Sequence, residues 1–328
     1  MSLRTRFIAL WTVIGLLVIG AGVATVGALN QNLYSAEGTV RTYLEALGRG
    51  DAESALAMPG VASNSLDPSR RVLLQSGAFD APRDIRIASA NVSGNSATVR
   101  ATVTLGVKTH TLTFHLTKQD ARAIVFDQWI FSQPPLGNLR VVVDHDTLFQ
   151  AGSLTAIDIH SYPAGLAQAF SASADFPVFV GTSYATFRKS PLLSAARVVT
   201  PITGPDVASV TIDVQATAEF QRTVQAAVNE TLAGCTDQTV LMPTGCPFGY
   251  ATQNRWVGPA TWTIATYPDI TIEPGSVDWR VHGTGTAHLT GSVTSLFDGS
   301  TQPVDTDVDF TIDAGAVVSA TNAISFVG

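Results

Sequence analysis

The chain has 328 residues and a formal net charge of −7, and 14% of its residues are charged whereas 45% are hydrophobic. This apolar composition excludes a disordered chain, and its many Val, Thr and Ser residues favour β structure. The negative charge, with no cluster of Lys and Arg to offset it, argues against a nucleic-acid partner.

The N-terminus contains a long apolar run. Residues 7–29 carry no charge, and Arg4 and Arg6 come just before them. As a helix this run is roughly 34 Å long, enough to cross a hydrocarbon core of about 30 Å. Because cations before a span favour the cytoplasmic side, the sequence predicts a cytoplasmic tail at residues 1–6, a single transmembrane helix at residues 7–29 and an extracytoplasmic C-terminal bulk.

A cleaved signal peptide is the alternative to this signal-anchor. Val26 and Ala28 are small residues at the positions that cleavage after Ala28 requires. However, residues 7–29 are longer than the apolar core of about 7–15 residues that is typical of a signal peptide. We therefore expect a retained anchor and a cell-membrane location.

Residues 30–135 are predicted to form an α+β domain. Val40, Tyr43, Leu44 and Leu47 repeat at helical spacing, and Asp51 is placed to cap a second helix. The apolar period then changes to two, which predicts strands at residues 85–87, 97–103, 112–116 and 124–130. Helices followed by antiparallel strands are an α+β pattern.

The sequence of the two predicted helices in this segment resembles that of a known superfamily. The stretch from Val40 to Leu47, followed by Gly50, Asp51 and Ala52, resembles the opening of nuclear-transport-factor-two-like (NTF2-like) proteins. The resemblance covers residues 34–133 and implies a cone-shaped fold in which a curved sheet and helices enclose a pocket. It leaves open a lipid or small hydrophobic ligand in that pocket, since fold alone carries no function.

A small β domain is predicted at residues 136–205. The consecutive prolines Pro134 and Pro135 mark a linker before it, and Pro201, Gly204 and Pro205 mark the boundary after it. Strands are predicted at residues 139–143, 154–159, 177–180, 184–187 and 197–199, with a polar hairpin turn at residues 144–146.

Residues 206–328 are predicted to form a C-terminal domain of a helix and an antiparallel sheet. A strand at residues 210–214 precedes a helix that Gly234 ends, and a turn at residues 313–315 separates the last two strands. The predicted apolar face of the helix contains Phe220, Val224, Ala227, Val228, Thr231 and Leu232. Further strands are predicted at residues 262–264, 270–272, 277–281, 287–289, 308–312 and 316–318.

The two cysteines, Cys235 and Cys246, lie in the part predicted to be extracytoplasmic, so we expect a disulfide between them. A catalytic thiol at Cys246 is the alternative. Exported transpeptidases with a comparable Gly-Cys pair place a His before it and an Arg shortly after it. Here Thr244 precedes the pair and the next cation is Arg255, which favours the disulfide.

The cysteine segment carries a second resemblance. A helix running into Leu-Ala-Gly-Cys at residues 232–235, followed by Gly-Cys-Pro-Phe-Gly at residues 245–249, resembles single-pass envelope proteins of actinobacteria. Their exported architecture looks like that of teicoplanin-resistance-associated membrane proteins, although the cytoplasmic zinc ribbon common in that family has no counterpart here. The resemblance implies a role in the envelope without catalysis.

An acidic stripe is the clearest polar pattern. Asp305, Asp307 and Asp309, with Asp313 further on, begin like a calcium loop, but Phe310 and Ala316 occupy its required Gly and Glu positions. The alternation instead predicts a strand with one solvated acidic face, and weak cation binding is the alternative.

The remaining motifs point away from catalysis. Nucleophile, zinc and phosphate-loop signatures are absent, and His110, His115, His282 and His288 have no metal-ligand spacing. We therefore predict no catalytic residue, metal or cofactor, and a non-catalytic envelope protein that binds or scaffolds another envelope protein or the cell wall. A cell-wall hydrolase is the third hypothesis. Trp residues on strands are expected in the core, with an aromatic sugar-binding platform as the alternative.

Overall fold

A computed structural model describes residues 35–62, 68–122, 126–162 and 170–327. The predicted transmembrane segment, residues 7–29, and the cleavage position after Ala28 lie outside these ranges. Within them, no helix has both the length and the apolar character needed to cross a membrane. The described chain is mostly β with a few helices, which confirms the predicted α+β class.

The first segment begins with the two predicted helices, α1 (Ala36–Gly48) and α2 (Ala52–Leu56). The side chain of Asp51 caps α2 as predicted, since it accepts a hydrogen bond from the Ser54 amide, and the side chain of Ser35 caps α1 by accepting one from the Gly38 amide. A 3₁₀ helix, Pro68–Leu73, follows. The strands form an antiparallel meander: β1 (Arg83–Ser93), β2 (Ser96–Leu105), β3 (Lys108–Arg122) and β4 (Phe126–Phe131).

Helix α1 lays its apolar face on this sheet. Val40, Tyr43, Leu44 and Leu47 are all fully buried, so the helical spacing read from the sequence is the spacing of the core face. The ring of Tyr43 meets those of Phe114 and Phe131 edge-on, with centroids 5.9 and 5.4 Å away. These aromatic rings occupy the space between helix and sheet.

The second segment consists of two β-sheets that face each other. Phe149 and Phe176 meet between them with ring centroids 5.7 Å apart. One sheet has the order β12-β10-β9-β6-β7 and the other β11-β5-β8. The strands are β5 (Leu136–Asp144), β6 (Leu148–Ala151), β7 (Ile157–Asp158), β8 (Ser171–Phe179), β9 (Thr182–Lys189), β10 (Leu193–Ile202), β11 (Val207–Asp213) and β12 (Gln215–Ala216).

Strand β11 links sequence regions that the proline and glycine pattern separates. It runs parallel to β5, with Val207 paired to Asn138 and Asp213 paired to Asp144. The strand predicted at the head of the third segment therefore lies in a sheet of the second segment, and residues 203–206 form the connection between β10 and β11.

The third segment is a long helix on a twisted antiparallel sheet. Helix α3 (Ala218–Thr236) is capped by Thr217, whose side chain accepts a hydrogen bond from the Phe220 amide. The sheet order is β13-β15-β16-β17, and β14 also pairs with β15. The strands are β13 (Arg255–Thr266), β14 (Thr271–Pro274), β15 (Trp279–Thr294), β16 (Thr301–Val318) and β17 (Ile324–Val327).

Several predicted breaks in the chain are wrong. Helix α3 continues through Gly234 to Thr236, because the next residue, Cys235, belongs to its buried face. Strand β16 runs without a turn through residues 313–315, where Ala314 and Gly315 pair with Val281 and Arg280. Gly283 and Gly285 also predict a break between His282 and His288, but β15 stays in register with β16 through both glycines.

Two expectations for the second segment also need correction. Of the strand predicted at residues 154–159, the short strand β7 is the part that forms, and a 3₁₀ helix, Ile159–Ser161, follows it. Residues 144–146 are not a hairpin turn, since the strands that they connect, β5 and β6, belong to different sheets. His145 makes the change of direction with a φ of 68°.

The first and second segments are joined through buried hydroxyl groups. The Tyr43 hydroxyl of α1 lies 2.9 Å from the carbonyl oxygen of Pro135 and 3.0 Å from that of Val180. The Tyr184 hydroxyl of β9 donates to the carbonyl oxygen of Leu73 and accepts from the Phe179 amide. Burial raises the pKa of both tyrosines, so each phenol stays protonated in the fold.

Candidate functional site: a groove beside an open strand edge

Helix α3 forms one wall of an apolar groove. Of its predicted apolar face, Phe220, Val224, Val228 and Leu232 are buried against the sheet. The other two members, Ala227 and Thr231, are half-buried and exposed, and both line the groove. The side-chain amide of Gln225 holds the helix in place, since it donates to the carbonyl oxygen of Pro268 and accepts from the Ile270 amide.

The disulfide loop forms the second wall. The predicted partners Cys235 and Cys246 lie at disulfide distance, with their Cα atoms 5.9 Å apart. The side-chain amide of Gln238 clamps the loop from inside, because it donates to the carbonyl oxygen of Thr244 (3.1 Å) and accepts from the Thr244 amide (2.8 Å). The loop is therefore closed both covalently and by hydrogen bonds.

Aromatic contacts fix this loop to the sheet. The indole nitrogen of Trp262 donates to the carbonyl oxygen of Val240 at 2.8 Å. Phe248, which directly follows the loop, is buried with its ring centroid 4.9 Å from that of Trp262 and 5.5 Å from that of Phe310. The wall is thus held in a fixed position relative to the strands.

The groove between these walls has a volume of about 480 Å³. It lies in the size range of ligand sites in proteins, which is roughly 300–1,000 Å³. A neighbouring depression of about 470 Å³ shares two of its lining residues, Ala227 and Phe326, so the two lie side by side along α3. The apolar lining of the groove comes from Val228, Leu232, Val281, Ile312, Ala314 and Phe326.

Strand β16 borders the groove with an open edge. On one side, residues 301–316 pair with β15. On the other side, β17 covers residues 315–318 alone. Among the described residues, no strand pairs with residues 301–314 on that side. Every second residue of an antiparallel strand directs its N–H and C=O away from its partner, so this edge carries backbone groups available to another strand.

The predicted acidic face lies along this same strand. Asp305, Asp307, Asp309 and Asp313 are all exposed on one face of β16, which agrees with the solvated strand read from the sequence. The ring of His288 lies between two of these carboxylates, 3.3 Å from Asp305 and 2.7 Å from Asp307. Within the described ranges, no group of three or more His, Cys, Asp and Glu residues is arranged to hold a metal ion.

The hairpin of β15 and β16 ends in an apolar tip. Phe297 is fully exposed there and Leu296 is 72% exposed. Hydrogen bonds from the backbone and side chain of Ser300 lower the pKa of Asp298 at this tip. The tip, the open edge and the acidic face therefore occur on one pair of strands.

The other sequence candidates lie elsewhere. His110 and His115 point to opposite faces of β3, as the odd spacing predicts. Trp129, Trp262 and Trp279 are buried and Trp256 is half-buried, so none of these four presents the open ring face that a sugar platform needs. The open edge was not predicted from the sequence because the predicted strand was confined to residues 308–312. The signal was the unbroken alternation from Phe310 through Ala316.

Comparison of the chain with protein-family models, with curated proteins and with solved structures finds no match.

Proposed function

We propose that this chain is a membrane-anchored, extracytoplasmic protein of the cell envelope whose role is to bind or scaffold a partner without catalysis. The observation that carries this proposal is the groove between α3, the disulfide loop and the open edge of β16. Its walls are fixed by a disulfide and by hydrogen bonds within the loop and to the sheet, which is the preformed geometry of a binding surface.

Two separate features support the proposed location of the protein. The uncharged run at residues 7–29, preceded by Arg4 and Arg6, supports a single-pass anchor with the C-terminal bulk outside. The bond between Cys235 and Cys246 supports the same side of the membrane, since disulfides persist in oxidising compartments. The resemblance to actinobacterial envelope proteins agrees with both.

The first segment fits the NTF2-like cone in its order of elements. Helix α1 buries its apolar face on a four-stranded antiparallel meander, and α2 follows it directly. A lipid or small hydrophobic ligand inside this cone has less support than a partner at the groove. The reason is that the rings of Tyr43, Phe114 and Phe131 fill the space between α1 and the sheet.

Site-specific photo-crosslinking in intact cells tests the proposal. A photoreactive phenylalanine analogue placed at Thr231, an exposed residue that lines the groove, should capture a partner of reproducible mass. The matched control places the same group at Val107, which is 95% exposed in the turn between β2 and β3. Capture at neither position, together with turnover of purified cell wall by the protein, would favour the hydrolase instead.

Reporter fusions test the address separately. An enzyme that is active only outside the cytoplasm, fused after Gly328, should be active in cells. A stable but inactive fusion would contradict the proposed topology. N-terminal sequencing of the mature protein then distinguishes an intact anchor from cleavage after Ala28.

A further inference from the structure

The open edge of β16 has the properties of a strand-addition site. Its backbone groups along residues 301–314 have no strand partner on one side within the described chain. Protein partners often bind such edges as an added strand, using main-chain hydrogen bonds for affinity and alternate side chains for specificity. The short strand β17 pairs with residues 315–318 on the same side of β16, so an incoming strand would continue the pairing beside it.

The two faces of β16 differ sharply in chemistry. One face presents the carboxylates of Asp305, Asp307 and Asp309 to solvent. The opposite face presents Phe310 and Ile312, which are buried or half-buried on the side of the groove. Side chains of an added strand alternate between the same two faces. A complementary strand would therefore alternate cationic residues, opposite the carboxylates, with apolar residues directed toward the groove.

A second copy of the same chain is a poor occupant. In an antiparallel pair, residues directly opposite each other share a face of the sheet. If two β16 strands paired about Asp309, Asp305 would lie opposite Asp313, and Asp309 would lie opposite its own copy. Pairing about Asp307 instead sets Asp305 opposite Asp309 and Asp307 opposite its own copy. Like charges in these positions are destabilising, so we do not expect the β16 edges of two copies of the chain to pair with each other.

Building on the function proposed above, we propose that the edge of β16 binds an extended segment of a partner protein in which basic and apolar residues alternate. The segment pairs with residues 301–314 as an additional strand. Its basic side chains lie along the acidic face, and its apolar side chains enter the groove beside Leu232, Ile312 and Phe326. The proposal thus names the chemistry of the partner and the strand that receives it.

The test uses the full-length protein in detergent and a fluorescent ten-residue probe of alternating Lys and Val, with blocked ends. Binding is measured by fluorescence anisotropy in low salt. The alternating probe should bind at least tenfold more tightly than a block peptide of five Lys followed by five Val. It should also bind at least tenfold more tightly than the same alternating peptide with every backbone amide methylated. Equal binding of all three peptides would overturn the proposal.

Charge variants separate the acidic face from the overall charge. The triple variant Asp305→Asn, Asp307→Asn and Asp309→Asn should weaken binding of the alternating probe at least tenfold. The matched control, Glu37→Gln, Glu45→Gln and Glu53→Gln, removes the same charge from exposed positions on α1 and α2 and should change binding less than twofold. Equal losses in the two triple variants would show non-specific attraction and overturn the proposal.

A final pair of variants tests the groove. Ala227→Trp places a large side chain in the groove, whereas Ala226→Trp places it on the exposed neighbouring face of the same helix. The first should weaken binding and the second should leave it unchanged, and hydrogen exchange should show new amide protection within residues 301–314 upon binding. If the probe fails to bind while crosslinking at Thr231 still captures a partner in cells, the strand-addition proposal falls and the binding function stands.

Discussion

The buried ion pair of Arg188 and Asp146 gives a sharp test of the forces that hold the two sheets of the second segment. The side chains are 4% and 7% exposed, and the Arg188 Nε donates to one carboxylate oxygen. The other oxygen accepts from the Thr147 amide at 2.7 Å. Arg188→Met keeps the length of the side chain but leaves a buried carboxylate without its cation. Such a change is expected to cost about 3–5 kcal/mol of unfolding free energy.

The double variant distinguishes the loss of the pair from the loss of packing. Arg188→Met combined with Asp146→Leu removes both charges, so the total loss should be smaller than the sum of the two single losses by more than about 1 kcal/mol. An exposed pair serves as the control. Arg140 donates two hydrogen bonds of 2.8 Å to Asp175, but the side chains are 52% and 30% exposed. Arg140→Met should therefore cost clearly less than Arg188→Met.

The assay is urea-induced unfolding followed by tryptophan fluorescence, with the free energy obtained by linear extrapolation. Three of the reporting side chains, Trp129, Trp262 and Trp279, are buried, so unfolding changes their surroundings. Equal losses for Arg188→Met and Arg140→Met would refute the argument from burial. Strictly additive losses at Arg188 and Asp146 would refute the coupling between them.

Three further predictions concern stability. Leu44→Ala should cost about 2–5 kcal/mol because Leu44 is fully buried, whereas Glu45→Ala, one residue further and exposed, should cost less than about 0.5 kcal/mol; equal small losses in urea titrations would mean that α1 is no core helix. Reduction of the disulfide should lower the unfolding free energy by about 3 kcal/mol in the loop-entropy model. An unchanged urea midpoint after reduction would contradict this prediction. The contribution of Tyr43 and Tyr184 to stability should be constant below the ordinary tyrosine pKa of about 10 and should fall above it by up to about 1.4 kcal/mol per pH unit for each, because the unfolded phenols ionise before the buried ones do. Tyr43→Phe should reduce that slope in urea titrations at several pH values.

Local signals in the sequence were sufficient where neighbours along the chain decide the structure. The periodicity of Val40, Tyr43, Leu44 and Leu47 and the capping position of Asp51 were enough to predict α1 and α2, since both depend on residues three or four apart. The cysteine pairing was equally predictable, because a chain with two cysteines has one possible intramolecular pairing.

Tertiary contacts decided the places where the sequence reading failed. Gly234 has a low helix propensity, but Leu232 and Cys235 on either side of it are anchored in the core, so the helix continues. Gly315 looked like part of a turn, yet the space above it is occupied by the carboxylate of Asp278 and by Val327, so a residue without a side chain is needed in mid-strand. The groove brings α3 and the adjoining disulfide loop together with β16, which begins only at Thr301, and no local pattern could predict that contact.

The parallel pairing of β11 with β5 has a consequence for the order in which the protein folds. Val207 pairs with Asn138, which lies about 70 positions earlier. The entropy cost of closing that loop is not offset by any contact until the two strands meet. Because the chain is synthesised from its N-terminus, β5 and β8 can pair before β11 has been made. The outer edge of β5 stays bare during that interval. Slow, non-local closure of this kind makes the half-built sheet the stage at which misassembly is most expected.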